Sequence, residues 1–118
     1  MSLGMYILDE QRRPLLICAS PSDRKGLLDW AKWIAAADER GELSLARERV
    51  GDKEVSTVFL GVNVNVSASK RPLVFETAIL DRTGLCTVCG RTSSAEDAMA
   101  MHSNSLAVLR AATSQGNK

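Results

Sequence analysis

Two β-prone segments joined to their neighbours by short turns constrain this fold more than any other feature. Residues 54–62 (EVSTVFLGV) and 73–80 (LVFETAIL) are rich in β-branched and apolar residues, which suit the pleated surface of a strand. The turn at 51–53 (GDK) precedes the first segment, and the turn at 81–84 (DRTG) separates the second from 85–91 (LCTVCGR). Because short connections join neighbouring strands, this half of the chain is predicted to be an antiparallel meander.

Three further strands are predicted from shorter patterns. Residues 5–8 (MYIL) and 15–19 (LLICA) flank a polar turn, and residues 43–50 (LSLARERV) precede the GDK turn. The alternating residues 62–66 (VNVNV) have two interpretations. They form either a strand with one buried face or an exposed sheet edge that runs past its neighbours.

A first helix is predicted over residues 22–40. Residues 20–23 (SPSD) supply side chains that accept hydrogen bonds from a first helical turn, and Gly41 is a suitable stop. One face of this helix is apolar and carries Leu27, Trp30, Ala31, Trp33, Ile34 and Ala37. The two tryptophans are interpreted as pieces of a small core rather than as anchors for a partner.

A second helix is predicted to begin at Ser94 and to end near Ala112. Ser94 followed by Asp97 approximates a capping box, although that motif prefers Glu or Gln at the last position. One side of the helix carries Ala95, Ala98, Met101, His102, Ser105, Leu106 and Leu109. His102, the one histidine of the chain, is therefore expected to face the sheet.

These elements predict the order β-β-α-β-β-β-β-α. The expected fold is a single-domain α+β protein, with an antiparallel sheet of about four to six strands and two helices packed on one face. The 118 residues are enough for one core, and the domain is placed at residues 5–112. Residues 1–4 precede Met5 and are interpreted as either native or an expression leader, and residues 113–118 are predicted to be a disordered tail.

Composition narrows the class of function. The net charge of +1 gives no strong electrostatic field. The basic pairs Arg12-Arg13 and Lys70-Arg71 are interpreted as turn residues, so nucleic-acid binding is the least favoured class of function. No apolar run is long enough for a membrane span, and no secretory signal is present. The three cysteines are odd in number and lack the spacing of a disulfide framework, so the expected location is a reducing cytoplasm.

The pattern Cys86-x-x-Cys89 followed by His102 resembles part of a zinc site. Cys18 would complete a set of three cysteines and one histidine. However, Cys86 and Cys89 lie in a predicted strand, where residues three apart point to opposite faces. The favoured interpretation is therefore buried or half-buried free thiols, with no metal and no cofactor.

Glu76 and His102 are the candidate catalytic pair. Glu76 is the one charge within an apolar strand, and a carboxylate that faces a core is costly unless it is paired. Three hypotheses remain open: a structural pair, an acid–base couple, or a metal site completed by Asn63 or Asn65. The structural pair is favoured, because no nucleophile motif or phosphate-binding loop accompanies these residues.

Several segments resemble a family of short uncharacterised proteins encoded by phages and prophages. The resemblance lies in residues 27–40 (LLDWAKWIAAADER), 50–63 (VGDKEVSTVFLGVN), 73–80 (LVFETAIL) and 96–102 (EDAMAMH). The most specific strings are VSTVFLG and FET, and the resemblance spans most of the chain. This chain has Val64 where the family usually has His, and Val66 where the family has an aromatic residue.

The resemblance implies a phage or prophage origin but no established activity. The first hypothesis is a small accessory protein that acts by protein–protein interaction. Its predicted contact residues are Asn63, Val64, Asn65 and Val66, which would present a sheet edge to a partner or to a second copy. The second hypothesis, a metal-dependent or acid–base enzyme using Glu76 and His102, is weakened by the loss of the family's His.

Overall fold

Two antiparallel sheets and two helices make up the part of the chain that the computed structural model describes, residues 4–65 and 71–116. The elements are β1 (Met5–Leu8), β2 (Pro14–Cys18), α1 (Arg24–Glu39), β3 (Ser44–Val50), β4 (Lys53–Phe59), β5 (Phe75–Leu80), β6 (Cys86–Thr92) and α2 (Ala95–Gly116). The observed order is the predicted one, and the prediction of a single α+β domain is confirmed.

The strands divide into a hairpin of β1 and β2 and a four-stranded sheet in the order β3-β4-β5-β6. All neighbours in the larger sheet are consecutive along the chain, which confirms the predicted meander. The hairpin is joined to the end of β4 by a bridge between Met5 and Val62 and by the bond from Tyr6 N–H to the Gly61 carbonyl, 2.7 Å. In the described residues, neither helix is long and apolar enough to cross a bilayer.

Helix α1 begins and ends where its capping residues predict. The Asp23 carboxylate accepts a hydrogen bond from Gly26 N–H at 2.9 Å, and Gly41 follows the helix with a left-handed φ of +70°. The helix packs on the hairpin, and the Trp33 ring meets the Phe59 ring edge-on with centroids 5.9 Å apart. Both tryptophans are half-buried, in agreement with their interpretation as core residues.

Strand β4 ends at Phe59, before the predicted end of its segment at residue 62. The reason is Gly61, whose φ of +77° turns the chain out of the ladder. A Cβ at this position would lie 2.7 Å from Ile34 Cδ1, so a side chain does not fit there. The Gly61 carbonyl accepts a hydrogen bond from Trp30 Nε1 at 2.9 Å, which ties this turn to α1.

Helix α2 covers one face of the larger sheet and contacts all four of its strands. The Ser94 hydroxyl accepts a hydrogen bond from Asp97 N–H at 3.0 Å, as the capping prediction requires. The helical backbone continues to Gly116, beyond the predicted end at Ala112. Two buried clusters pack beneath the helices, formed by Phe59, Val74, Phe75 and Ala98 and by Val55, Leu106 and Leu109.

Alternation along β4 and β5 decides which side chains meet α2. Thr57 and Thr77 lie opposite each other and are fully buried on the α2 side of the sheet. Glu76 is one residue from Thr77 and therefore projects from the other face, opposite Val58. Whether a residue occupies an odd or an even position in its strand therefore determines which polar residues can meet α2 and form a site.

Candidate functional site

His102 lies at the centre of a buried polar network between α2 and the sheet. Its imidazole is 1% exposed, with Nδ1 at 2.8 Å from the Thr57 hydroxyl and Nε2 at 3.2 Å from a Glu48 carboxylate oxygen. The Thr57 hydroxyl is also 2.7 Å from the Thr77 hydroxyl. The prediction that His102 faces the sheet is correct, but its partners are two threonines and Glu48 of β3.

The carboxylate of Glu48 sets the direction of these hydrogen bonds. A carboxylate only accepts, so His102 donates through Nε2–H. In the neutral imidazole Nδ1 then accepts from the Thr57 hydroxyl, and the Thr57 oxygen accepts from Thr77. Every polar group in this buried series of hydrogen bonds thereby has a partner. The hydrogen bonds fix the rotation of α2 against β4 and β5.

The order of carboxylate, imidazole and hydroxyl in this network also occurs in nucleophilic catalysis, but the geometry here does not serve it. Thr57 is 0% exposed, so a substrate has no route to its hydroxyl. Neither Thr57 nor His102 lines the surface cleft at Arg12 and Trp33 or the surface depression at Met101 and Val108. The burial of Thr57 and His102 therefore favours a structural role for this network.

Glu76 does not meet His102, so the hypothesis that these residues form a pair is wrong. The Glu76 carboxylate accepts a hydrogen bond from Arg91 Nε at 3.0 Å on the face of the sheet opposite α2. The segment 73–80 has apolar residues at both odd and even positions, so the sequence did not reveal which face of the sheet Glu76 occupies.

Asn63 closes a loop and does not join Glu76 or His102. Its side-chain oxygen accepts hydrogen bonds from Asn65 N–H at 2.9 Å and from Leu73 N–H at 3.0 Å. Its own N–H donates to the Gly4 carbonyl, and Val64 N–H donates to the Leu73 carbonyl. The predicted contact edge at Asn63, Val64 and Asn65 is therefore engaged within the chain, and Val66 lies outside the described residues.

The cysteines are dispersed over the fold. The Cys18 thiol is buried and donates to the Ser20 carbonyl at 3.1 Å. Cys86 and Cys89 are exposed, so the prediction that they are buried or half-buried is wrong, because β6 is the last strand of its sheet. Cys86 lies opposite Leu80 on the face away from α2, and Cys89 borders α2. Within residues 4–65 and 71–116, no three His, Cys, Asp or Glu side chains converge to hold a metal ion.

Of the predicted basic pairs, Arg12 and Arg13 lie beside carboxylates. The Arg13 guanidinium pairs with Asp9 at 3.0 Å. Arg12 lies in a cleft of about 320 Å³ whose lining also includes Leu8, Asp9, Glu10, Trp33 and Glu42. The acidic residues offset the positive charge that a phosphate backbone would require. Lys70 lies outside the described residues, and Arg71 is exposed.

The feature that sequence reasoning missed is the outer edge of β6. This strand is last in the order β3-β4-β5-β6, so one of its sides has no neighbouring strand within the described residues. Residues 85–90 (LCTVCG), which comprise Leu85 and the first five residues of this strand, carry no charge. Leu85 and Val88 are 67% and 42% exposed. The opposite edge strand, β3, carries Arg47, Glu48 and Arg49 in succession, which is a common protection of sheet edges.

The backbone groups available on the β6 edge (residues 85–89) follow from one hydrogen bond. Asp81 N–H donates to the Leu85 carbonyl at 3.0 Å, which makes these two residues a hydrogen-bonded pair. Since hydrogen-bonded pairs alternate along an antiparallel ladder, Thr87 also faces β5. The N–H and C=O groups of Cys86 and Val88 therefore point outward. Beyond them, the extra residue Cys89 forms a bulge that interrupts the ladder.

An apolar depression, the α2 hollow, lies next to this edge on the helical face of the sheet. Its volume is about 280 Å³, and its lining includes Ile79, Cys89, Met101, Asn104, Ser105 and Val108. Val108 is 67% exposed although it is apolar. The β6 edge and the α2 hollow together form an uncharged surface with both backbone hydrogen-bonding groups and a recess for a side chain.

Asp81 holds the turn that leads into β6. Its carboxylate accepts hydrogen bonds from the Thr83 hydroxyl, 2.6 Å, from Leu85 N–H, 3.0 Å, and from Thr83 N–H, 2.9 Å. The Thr83 hydroxyl contributes most to lowering the pKa of Asp81 below its ordinary value of 3.8, and desolvation opposes this effect.

We expect an NMR titration of the Asp81 carboxyl carbon to give a midpoint below 3.8. Because the folded pKa is lowered, the stabilisation by Asp81 is present above the unfolded pKa and is lost as the pH falls through the folded pKa. Thr83→Ala removes the strongest bond and should move the midpoint back towards 3.8. A wild-type midpoint at or above 3.8, unchanged in Thr83→Ala, would contradict this account of the turn.

No protein-family model, curated protein or solved structure matches this chain. The resemblance to the phage and prophage family therefore stays a prediction. The site is assigned from its geometry alone, and that geometry favours a surface for contacts over a centre for chemistry.

Proposed function

We propose that this chain is a small accessory protein of phage or prophage type that acts by binding another polypeptide along the β6 edge. The observation that carries the proposal is the contrast between the two edges of one sheet. β3 is protected by successive charges, whereas residues 85–90 are uncharged and residues 85–89 are exposed. An added strand would pair with the outward-facing groups of Cys86 and Val88, and one of its side chains would occupy the α2 hollow.

The enzyme and nucleic-acid hypotheses have less support. His102 and Thr57 are fully buried, and Glu76 is bonded to Arg91 on another face. The basic residues described near the β1–β2 turn are accompanied by carboxylates. No specific observation therefore favours either alternative over polypeptide binding.

Replacing Val88 with lysine tests the role of the β6 edge. A lysine on an edge strand opposes strand addition, because the incoming strand would have to accommodate its charge. In a bacterial host that expresses tagged and untagged chains together, we expect the tagged wild type to retain a polypeptide, either the untagged chain or a host protein. Val88→Lys should retain at least about tenfold less, equivalent to about 1.4 kcal/mol.

Leu28→Lys is the matched control, because it places the same charge on an exposed apolar position of α1, 55% exposed, away from β6. This variant should retain as much polypeptide as the wild type. The proposal fails if the wild type retains nothing, or if Val88→Lys and Leu28→Lys reduce retention equally. Binding is then confirmed with the purified components by calorimetry.

A further inference from the structure

We infer that the polypeptide that pairs with the β6 edge is a second copy of this chain, in an antiparallel and two-fold symmetric arrangement. This inference rests on the proposed binding role of that edge and names its occupant. The pairing would join two four-stranded sheets into one continuous sheet, with both α2 helices on the same side.

The distribution of charge favours self-pairing at β6 and opposes it at β3. If β3 paired with itself around Glu48, two carboxylates would be adjacent and Arg47 would lie opposite Arg49 of the other copy. Residues 85–90 carry no charge, so pairing these residues with their own copies brings no like charges directly opposite each other. The net charge of +1 on the whole chain adds little repulsion between two copies.

The outward-facing backbone groups select one register. With the two-fold axis at Thr87, Cys86 of each copy lies opposite Val88 of the other. The N–H and C=O groups of both residues are then all paired, and pairing ends at the Cys89 bulge. A register centred on Val88 would bring the bulge into the ladder and leave fewer regular hydrogen bonds.

This register also explains the exposed leucine beside the apolar hollow. Leu85 lies on the helical face of the sheet, because it pairs with Asp81 and shares the parity of Ile79. In the symmetric pair it would be placed opposite Cys89 of the other copy, whose side chain lines the α2 hollow. Each copy would thus insert a leucine that is otherwise 67% exposed into a recess formed by the other.

Light scattering during size-exclusion chromatography measures the association directly. We expect the full chain, in the presence of reductant, to have twice the mass of one 12.8 kDa chain at micromolar to submillimolar concentrations. Leu85→Asp would place a carboxylate in each hollow and should be monomeric under the same conditions. Leu28→Asp, at an exposed apolar position on α1, should remain dimeric.

A cross-link through one exposed cysteine tests the register, because the remaining Cys18 is buried. Thr87→Cys, combined with Cys86→Ser and Cys89→Ser, would place two thiols at a non-hydrogen-bonded pair about 4.5 Å apart between Cα atoms. That separation lies within the range of about 4.4 to 6.8 Å for disulfides, so mild oxidation should convert most of the protein into a covalent dimer. Arg47→Cys in the same serine background, exposed on β3, should remain uncross-linked.

The inference is overturned if the wild type is monomeric at every concentration, or if Leu85→Asp and Leu28→Asp have the same mass. It is also overturned if Arg47→Cys cross-links as fast as Thr87→Cys. A monomeric wild type that still retains a host polypeptide, and loses it in Val88→Lys, would reject the second copy as occupant but leave the proposed binding function standing.

Discussion

His102→Ala is expected to lower the free energy of unfolding by about 3 kcal/mol, because it leaves a cavity and removes a partner of a buried hydroxyl. The imidazole is 1% exposed and bonded at both nitrogens. Without it, the buried Thr57 hydroxyl loses one of its two hydrogen-bond partners and keeps only Thr77. Equilibrium denaturation in urea, monitored by tryptophan fluorescence, measures the change.

Glu48→Gln is the control for the exposed end of the same network. Its side-chain oxygen still accepts from His102 Nε2–H, and residue 48 is half-exposed to water. We expect a loss below about 1 kcal/mol. Thr57→Val should lower the free energy of unfolding less in the His102→Ala background than in the wild type, because the two residues share one hydrogen bond. If His102→Ala changes the stability by less than about 0.5 kcal/mol, the network is not structural.

Phe75→Ala is expected to cost about 3 to 5 kcal/mol of unfolding free energy. Its side chain is 0% exposed and packs against Phe59 with ring centroids 5.4 Å apart. The cavity would lie where β5, α2 and the Trp33 side of the core meet. The shift of the urea midpoint at constant slope gives the loss directly.

Glu76→Gln, the next residue, provides a matched contrast. Its carboxylate makes an ion pair with Arg91, which is 44% exposed, and such pairs contribute at most about 1 kcal/mol. We therefore expect Phe75→Ala to lower the free energy of unfolding severalfold more than Glu76→Gln. Equal losses in Phe75→Ala and Glu76→Gln would show that Glu76 has a buried role, contrary to the orientation of β5.

Both pairs of variants depend on which face of a strand or helix each side chain occupies. This is the property that the sequence indicated least clearly. The helical period and the Ser94 cap predicted that His102 faces the sheet, and it does. The strand 73–80 has apolar residues at alternating and at consecutive positions, so its pattern did not show whether Glu76 or Thr77 points to α2. Because threonine is common in strands, its presence in the sequence does not indicate a partner for histidine.

The β6 edge shows a second limit of sequence reasoning. The strand and both of its cysteines were predicted, and the absence of charge in residues 85–90 was visible in the sequence. That absence has a meaning only at the edge of a sheet, because a central strand is equally free of charge. At Asn63 and Val64 the converse holds, since the chain itself supplies backbone partners at Gly4 and Leu73.

The order of strands and helices was determined by the sequence itself, because caps, turns and hydrophobic periods are written in contiguous residues. Asp23, Gly41 and Ser94 end or begin helices through contacts within a few positions of themselves. The tertiary structure alone decided which polar groups meet and which edge stays open. His102 reaches partners that are 45 and 54 residues away in sequence, and such pairings depend on strand register and sheet order. A shift of one residue in the register of a strand would move each of its side chains to the opposite face of the sheet.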